Sequence, residues 1–155
     1  MRNSVRDAAL SIIGAANDLT LATVCADGAP HATVVSYAND GLRIYFGCGP
    51  DSRKAQNLAR DGRVAATITL PYAEWGAIRG VSLMGKARRI EDMAEIGRMA
   101  ELFARKFPQV GDYVSASSQA VRFFELTPSA ISVLDYAKGF GHTDRAVLGE
   151  VDLVA

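Results

Sequence analysis

The first residues of the chain alternate between apolar and polar positions with the period of a helix. Apolar side chains recur from Val5 to Leu19, which predicts an amphipathic helix over residues 4–16. The rhythm then changes to the two-residue alternation of strands, and turn dipeptides separate the runs. The predicted strands span residues 19–26, 30–38 and 42–48, with turns at 27–28 and 39–41. Three strands joined by tight turns predict an antiparallel meander.

The middle of the chain continues this mixture of helix and strand patterns. A short helix is predicted from Ser52 to about Arg60, and a second helix opens at Asp92 and stops before Pro108. The remaining predicted strands span residues 62–70, 78–90, 120–128 and 130–137. Gly80 and Gly85 mark bend or bulge positions in the long strand over 78–90.

These elements predict a mainly β fold with peripheral helices. Six or seven antiparallel strands with three inserted helices close their edges most simply as a small barrel. The tail after residue 137 is punctuated by glycines and is expected to be irregular in part. The chain of 155 residues contains no repeat and no shift in composition, so we predict one domain over residues 1–155.

Composition and charge exclude several classes of protein. Seventeen cationic and 17 anionic side chains balance, so no overall field favours nucleic acid or an acidic membrane. No apolar run approaches the roughly 20 residues that span a bilayer, and the N-terminus lacks the pattern of a secretory signal. We therefore expect a cytoplasmic protein whose two cysteines, Cys25 and Cys48, are free thiols.

Candidate chemistry is concentrated where a glycine-rich loop turns into the predicted second helix. The segment GCGPDSRKAQNLARDGRV, residues 47–64, places Ser52, Arg53 and Lys54 together at the start of that helix. The first amides of a helix lack acceptors and its dipole is positive there, so anions are favoured. Two adjacent cations make the site suitable for a phosphate group. The alternative is an ordinary solvated helix start.

Two better-known phosphate loops do not explain this segment. The run GCGPDS lacks the third glycine of a dinucleotide-binding fingerprint, and no parallel strand–helix–strand unit follows it. The chain also contains no match to the nucleoside triphosphate loop G-x-x-x-x-G-K-[ST]. The glycines and Pro50 before Ser52 let backbone amides approach a ligand closely.

Several local patterns occur in an order that identifies a resemblance. They are LATV-x-x-DG-x-PHA at 21–32, L-x-x-YF at 42–46, SRKAQNL at 52–58, D-x-RV at 61–64 and GVSLMGKARRI at 80–90. Together they resemble the pyridoxamine 5′-phosphate oxidase-like family of FMN-binding split β-barrels. The resemblance implies an antiparallel split barrel that binds FMN at the interface of a homodimer.

The resemblance also implies which residues contact the cofactor. The ring would lie against the strand carrying His31, Ala32, Thr33 and Val34, and the ribityl chain would pass Phe46 and Gly47. The phosphate would be held by Ser52, Arg53 and Lys54, in agreement with the loop chemistry above. Asn57, one helical turn further on, is either a further contact or an ordinary exposed polar residue. Trp75 is expected to stack on a ring or to anchor its loop on the core or the dimer interface.

The chain departs from the oxidases in ways that argue against vitamin B6 oxidase activity. Gly80 occupies the place of a flavin-contacting glutamine, and the segment DYAKGFGHTDRAVL lacks the C-terminal tryptophan. We therefore expect an FMN-dependent oxidoreductase that passes hydride or electrons between reduced nicotinamide and a small acceptor, without an assigned catalytic acid or base. The competing expectations are a heme-handling protein using His142 or His31, a deazaflavin-binding reductase and an interaction module without cofactor.

Overall fold

The structure is a computed structural model that describes residues 2–111 and 120–155. Its helices are α1 (Arg2–Ala15), α2 (Arg53–Arg60), α3 (Met93–Lys106) and α4 (Glu150–Leu153). Its strands are β1 (Asp18–Val24), β2 (Pro30–Ser36), β3 (Ala38–Asp40), β4 (Arg43–Cys48), β5 (Arg63–Thr69), β6 (Arg79–Ile90), β7 (Arg122–Asp135) and β8 (Thr143–Val147). Single 3-10 turns precede β6 and follow β7. The predicted mainly β architecture with peripheral helices is confirmed.

The strands form one antiparallel sheet that rolls into a split barrel. The strand order is β2-β1-β5-β6-β7-β4-β3, with β8 beside β7. Tyr37 alone separates β2 from β3 along the chain, yet these two strands lie at opposite ends of that order. The sheet must therefore curl until its two ends approach each other at Tyr37. This closure confirms the predicted split β-barrel.

The predicted meander of the first three strands is wrong. Strands β1 and β2 form a hairpin, but β4 pairs with β7 on the other side of the barrel. The chain is held at the crossing point by Tyr37, which is fully buried. Its hydroxyl donates to the carbonyl oxygen of Ile13 at 2.5 Å, and its amide donates to that of Asn17 at 3.2 Å. The next turn lies at Gly41, and Asn39 and Asp40 belong to β3.

Strand β7 is continuous where the sequence predicts two strands. Its pairing with β6 shifts register between Met84 and Gly85, so β7 carries an additional residue next to Pro128. A bulge tolerates proline because it leaves a residue outside the hydrogen-bonded ladder. The predicted bulge at Gly85 is thereby confirmed. The tail is more regular than predicted, since Thr143–Val147 forms β8 against the second half of β7.

The core fills the barrel and extends beneath α1, which contacts β5, β6, β7 and β8. Phe46 and Phe124, from the paired strands β4 and β7, stack at the centre with ring centroids 5.4 Å apart. Helix α3 begins as predicted, because the Asp92 side chain accepts a hydrogen bond from the amide of Glu95. Of the residues in α3, Met99 is the buried one, so this helix rests on the surface of the barrel.

Candidate functional site

Ser52 shapes the loop that leads into α2. Its hydroxyl accepts from the amide of Ala55 at 3.3 Å and donates to the carbonyl oxygen of Gly49 at 2.7 Å. Ser52 is thus the N-cap of α2, and its one hydroxyl hydrogen is used within the loop. In this conformation the hydroxyl supports the loop geometry and does not offer a donor to a ligand.

The positive character of this helix start comes from Arg53 and Lys54. Their amides are the first two of α2 and have no acceptor within the helix. The Arg53 side chain is exposed, whereas Lys54 is half-buried and reaches a cavity of about 790 Å³. The structure therefore places Lys54 in the wall of the cavity, whereas Arg53 is exposed and is not among the described lining residues.

The cavity lies where β2, the end of β4 and α3 come together. It is bounded by Val34, Val35, Ser36, Gly47, Cys48, Gly49, Lys54, Met99, Ala100, Phe103, Val110, Val121 and Phe123. Lys54 is the one charged side chain among these described lining residues. A mostly apolar cavity with a single cation suits an amphipathic anion with a large apolar part.

Three predicted contact residues, Val34, Gly47 and Lys54, are brought together in this cavity. A Cβ added to Gly47 would lie 3.0 Å from Val121 Cγ1 and 3.2 Å from the Phe123 ring, so a side chain there would crowd the cavity wall. Phe46, the neighbour of Gly47, has its side chain in the core. Only the backbone of Phe46 is left to contact a ligand.

The other predicted residues of β2 alternate between the two faces of the sheet. Ala32 and Val34 point away from the core, and Val34 is 67% exposed. His31 and Thr33 share the face of the buried Val35 and are half-buried. His31 Nδ1 is enclosed and has no hydrogen-bond partner among the described residues. These residues lie along the same strand but do not all line the cavity.

Asn57 is buried, so its interpretation as an exposed helix residue is wrong. Its Nδ2 donates to Thr23 Oγ1 at 3.0 Å and lies 3.6 Å from Cys25 Sγ. Its Oδ1 accepts from Arg60 Nη2 at 3.0 Å. The side chain therefore fastens α2 to β1, and its role as a cofactor contact stays a prediction.

Helix α3 supplies a wall of the cavity that the sequence did not predict. Met99, Ala100 and Phe103 line it. The sequence pattern alone does not indicate this wall, because α3 contacts β3, a strand far from it in sequence.

Polar contacts hold α3 in this position. Arg88 on β6 donates to Glu95 of α3 at 2.9 Å and to Glu125 of β7 at 3.2 Å. Glu125 also accepts from the Tyr45 hydroxyl at 3.1 Å. Burial, followed by the charge of Glu125, raises the pKa of Tyr45 to about 12. The phenol therefore stays protonated and donating at neutral pH.

His142 lies in the turn between β7 and β8. Its Nε2 is 3.1 Å from Asp144 Oδ2, which also accepts from Lys138 Nζ at 3.1 Å. The hydrogen bond from Lys138, which has the larger effect, and the one from His142 both lower the pKa of Asp144. Residues 2–111 and 120–155 contain no group of three or more metal-ligating side chains, and no helix among them could cross a membrane.

The fold and the loop chemistry agree with a comparison against protein-family models. The model for pyridoxamine 5′-phosphate oxidase matches residues 5–135. The chain belongs to this family. A search of curated proteins finds no match.

Solved structures of split-barrel proteins superpose on this family member. A heme binding protein from Mycobacterium smegmatis is 26% identical, with a TM-score of 0.79. The match covers 95% of this chain but only 59% of that protein. A conserved hypothetical protein from Mycobacterium tuberculosis is 24% identical, with a TM-score of 0.73. That match covers 92% of this chain and 91% of the other protein. The heme storage protein HutZ from Vibrio cholerae is 19% identical (TM-score 0.67; 83% and 91% covered), a level that shows the fold alone.

Proposed function

We propose that this protein is an FMN-dependent oxidoreductase that acts as a homodimer. It would pass hydride or electrons between reduced nicotinamide and a small acceptor molecule. The observation that carries the proposal is the position of Lys54 in the wall of a large apolar cavity, beside the start of α2. Membership of the oxidase family and the strand–loop–helix order around that lysine support the same cofactor.

The phosphate of FMN fits the start of α2. The Arg53 and Lys54 side chains and the two amides that lack helical acceptors would hold it. A Cβ placed on Gly49 would meet no atom within 4 Å, so the loop leaves open space next to Lys54. Ser52 would act through the loop shape that its hydroxyl bonds maintain.

The isoalloxazine ring fits the apolar part of the cavity. Val34, Phe103 and Phe123 all line the cavity and offer apolar surface to it. A volume of about 790 Å³ lies within the range of roughly 300–1,000 Å³ typical of small-molecule sites. The alternation of β2 would direct Ala32 and Val34 toward the ring, while His31 and Thr33 contribute backbone groups.

When bound, FMN supplies the capacity to accept and return a hydride or electrons. The chain's own residues bind the phosphate, orient the ring and exclude water from one side of it. Helix α3 closes that side, and Arg88 keeps the helix in place through Glu95 and Glu125. We assign no catalytic acid or base among the described residues that line the cavity.

Heme handling is the second candidate function. Two structural neighbours are named as a heme binding protein and a heme storage protein. His31 supports this candidate, because its Nδ1 is enclosed without a hydrogen-bond partner among the described residues. A deazaflavin would place its phosphate at the same start of α2 as FMN, and it is the third candidate cofactor.

The visible spectrum of the purified protein tests these candidates. FMN binding predicts a yellow protein, or a colourless one that quenches the fluorescence of added FMN at a stoichiometry of one per chain. A Soret band after purification or heme titration, together with no response to FMN, would overturn the proposal in favour of heme. Binding of a deazaflavin in preference to FMN would replace the cofactor but keep the reaction class.

A further inference from the structure

A second cavity lies beside the bulge in β7. Its volume is about 690 Å³, and none of its described lining residues lines the Lys54 cavity. On one side it is bounded by β5, β6 and β7 around Gly85 and Ser129, and on the other by the segment from Leu148 to Leu153. We call this space the bulge cavity. Its size is within the range of roughly 300–1,000 Å³ typical of small-molecule sites.

The wall opposite the sheet is fixed by backbone hydrogen bonds. The amide of Leu148 donates to the carbonyl oxygen of Ser129 at 2.9 Å. The amide of Gly149 donates to Asp152 Oδ2 at 2.7 Å, and the carbonyl oxygen of Leu153 accepts from the amide of Leu42 at 3.0 Å. The bulge cavity is therefore formed without a ligand, and a ligand need not order this segment when it binds.

Much of the lining of the bulge cavity is apolar. Val64, Met84, Pro128, Leu148 and Leu153 all contribute to it. Met84 is 64% exposed although it lies in the middle of β6. A ligand with an apolar body would remove this side chain from water, which favours binding.

The charges around the bulge cavity leave one cation without a counterion. Of the three charged lining residues, Arg63 pairs with Asp61 at 2.7 Å and Glu150 pairs with Arg43 at 3.1 Å. Lys86 has no ion-pair or hydrogen-bond partner among the described residues. The cavity thus carries one uncompensated positive charge.

Cross-strand pairing places a hydroxyl group next to this cation. Lys86 lies directly opposite Arg63 on β5 and directly opposite Thr127 on β7, so the three side chains share one face. Such neighbours have Cβ atoms about 4.5–5.5 Å apart. The Thr127 hydroxyl has no hydrogen-bond partner among the described residues and is free to donate. An anion between Lys86 and Thr127 would accept from both groups and would reduce the repulsion between Lys86 and Arg63.

We propose that the bulge cavity binds an organic carboxylate with an apolar body, of which a medium-chain fatty acid is a simple example. The carboxylate is held by Lys86 and Thr127, and the apolar body lies against Met84 and Leu148. One uncompensated cation matches a single negative charge, whereas the start of α2 offers two cations and free amides to a phosphate group. Because the two cavities share no described lining residue, both ligands can be bound at once.

Calorimetric titration of decanoate into the flavin-loaded protein tests this site. We expect one decanoate per chain. Lys86→Ala should weaken binding about tenfold, because a hydrogen bond between charged groups is lost, and Lys86→Arg should retain it. Uncharged decan-1-ol should bind about tenfold more weakly than decanoate for the same reason. Arg89→Ala is the matched control, since it removes an exposed cation of β6 that does not line the cavity.

Two further variants locate the ligand. Ser129→Trp keeps Lys86 but places a large side chain at an exposed position that lines the bulge cavity, so it should abolish decanoate binding. Lys54→Ala, titrated without flavin, should bind decanoate as the unmodified protein does.

Several results would overturn the proposed site. They are the absence of stoichiometric binding, equal affinities of Lys86→Ala and Arg89→Ala, unchanged binding to Ser129→Trp, and displacement of FMN by decanoate. The fluorescence of FMN is measured separately, so a failure of this site leaves the cofactor proposal standing. The titration of Lys54→Ala tests the bulge cavity even if FMN does not bind.

Discussion

Asn57 Nδ2 donates a hydrogen bond to Thr23 Oγ1 at 3.0 Å, and both side chains are buried. This bond fixes α2, which presents Arg53 and Lys54, to β1. Asn57 Oδ1 is satisfied as well, by Arg60. The proposed phosphate site is thus held by a buried amide whose nitrogen and oxygen both have hydrogen-bond partners within the protein.

Replacing that amide should loosen both the fold and the site. Asn57→Ala leaves the Thr23 hydroxyl buried without its partner, which costs about 1–3 kcal/mol in the free energy of unfolding. Urea denaturation measures this loss, and the affinity for FMN should fall with it because α2 is less well positioned. Gln56→Ala removes an exposed neighbour that donates to the carbonyl oxygen of Asp51 at 3.3 Å, and as the control it should lower both quantities less than Asn57→Ala does.

Removing both cations of the cradle should release the flavin. A hydrogen bond to a charged group contributes about 1.5 kcal/mol, so Arg53→Ala with Lys54→Ala should weaken FMN binding roughly 100-fold. Lys54→Ala alone should account for the larger part, because Lys54 reaches the cavity whereas Arg53 is exposed. Titration of FMN fluorescence gives the dissociation constants.

Arg105→Ala is a matched control for these substitutions, since it removes an exposed cation on α3 outside the cavity. Its dissociation constant for FMN should equal that of the unmodified protein. A double variant at positions 53 and 54 that still binds FMN with unchanged affinity would show that the phosphate lies elsewhere.

The pH dependence of stability should report Lys106. Its Nζ lies 3.7 Å above the Tyr37 ring and has no hydrogen-bond partner among the described residues. Burial lowers the pKa of this amine below its ordinary value of 10.5, partly offset by the charge of Asp18. At pH values below 10.5 where Lys106 titrates, the unfolded chain therefore binds more protons than the folded one. The stability contributed by Lys106 rises with pH in this range.

Comparison with Lys106→Met isolates this effect. As the pH rises toward 10.0, the free energy of unfolding of the unmodified protein should rise relative to that of the variant. The range stops there because burial raises the pKa of the Tyr37 phenol, so its contribution is lost as pH rises above its ordinary value of 10.0. Parallel pH profiles for the two proteins would contradict the placement of the buried amine.

The local sequence pattern predicted most helices and strands of this fold but did not predict which strands pair. The periodicity of α1 and the turn at Asp27 and Gly28 depend on adjacent residues, and both are confirmed. Strand β4 pairs with β7 after the chain has crossed the barrel at Tyr37, and the buried hydroxyl bond from Tyr37 to Ile13 has no signature in local alternation. The meander was wrong for that reason.

The candidate site likewise contains residues that the sequence could indicate and residues that it could not. The Ser52, Arg53 and Lys54 cluster could be predicted because a cap and its two following residues are contiguous in sequence. The α3 wall could not, since Met99 and Phe103 reach the cavity only after the barrel has closed. Asn57 could not be placed either, because a polar helix residue is usually exposed and its partner Thr23 is on β1, far from α2 in sequence.

Two glycine substitutions should have opposite effects on stability. A Cβ on Gly85 would lie 2.2 Å from the carbonyl oxygen of Thr127, a backbone atom that cannot move without disturbing the bulge. Gly85→Ala should therefore lower the free energy of unfolding by about 3 kcal/mol.

Gly97 lies on the exposed face of α3, where an added Cβ meets nothing within 4 Å. Gly97→Ala should raise stability by about 0.5–1 kcal/mol, because alanine loses less backbone entropy in a helix. Urea denaturation of both variants checks the pair, and an unaffected Gly85→Ala protein would contradict the close approach of β6 and β7 at the bulge.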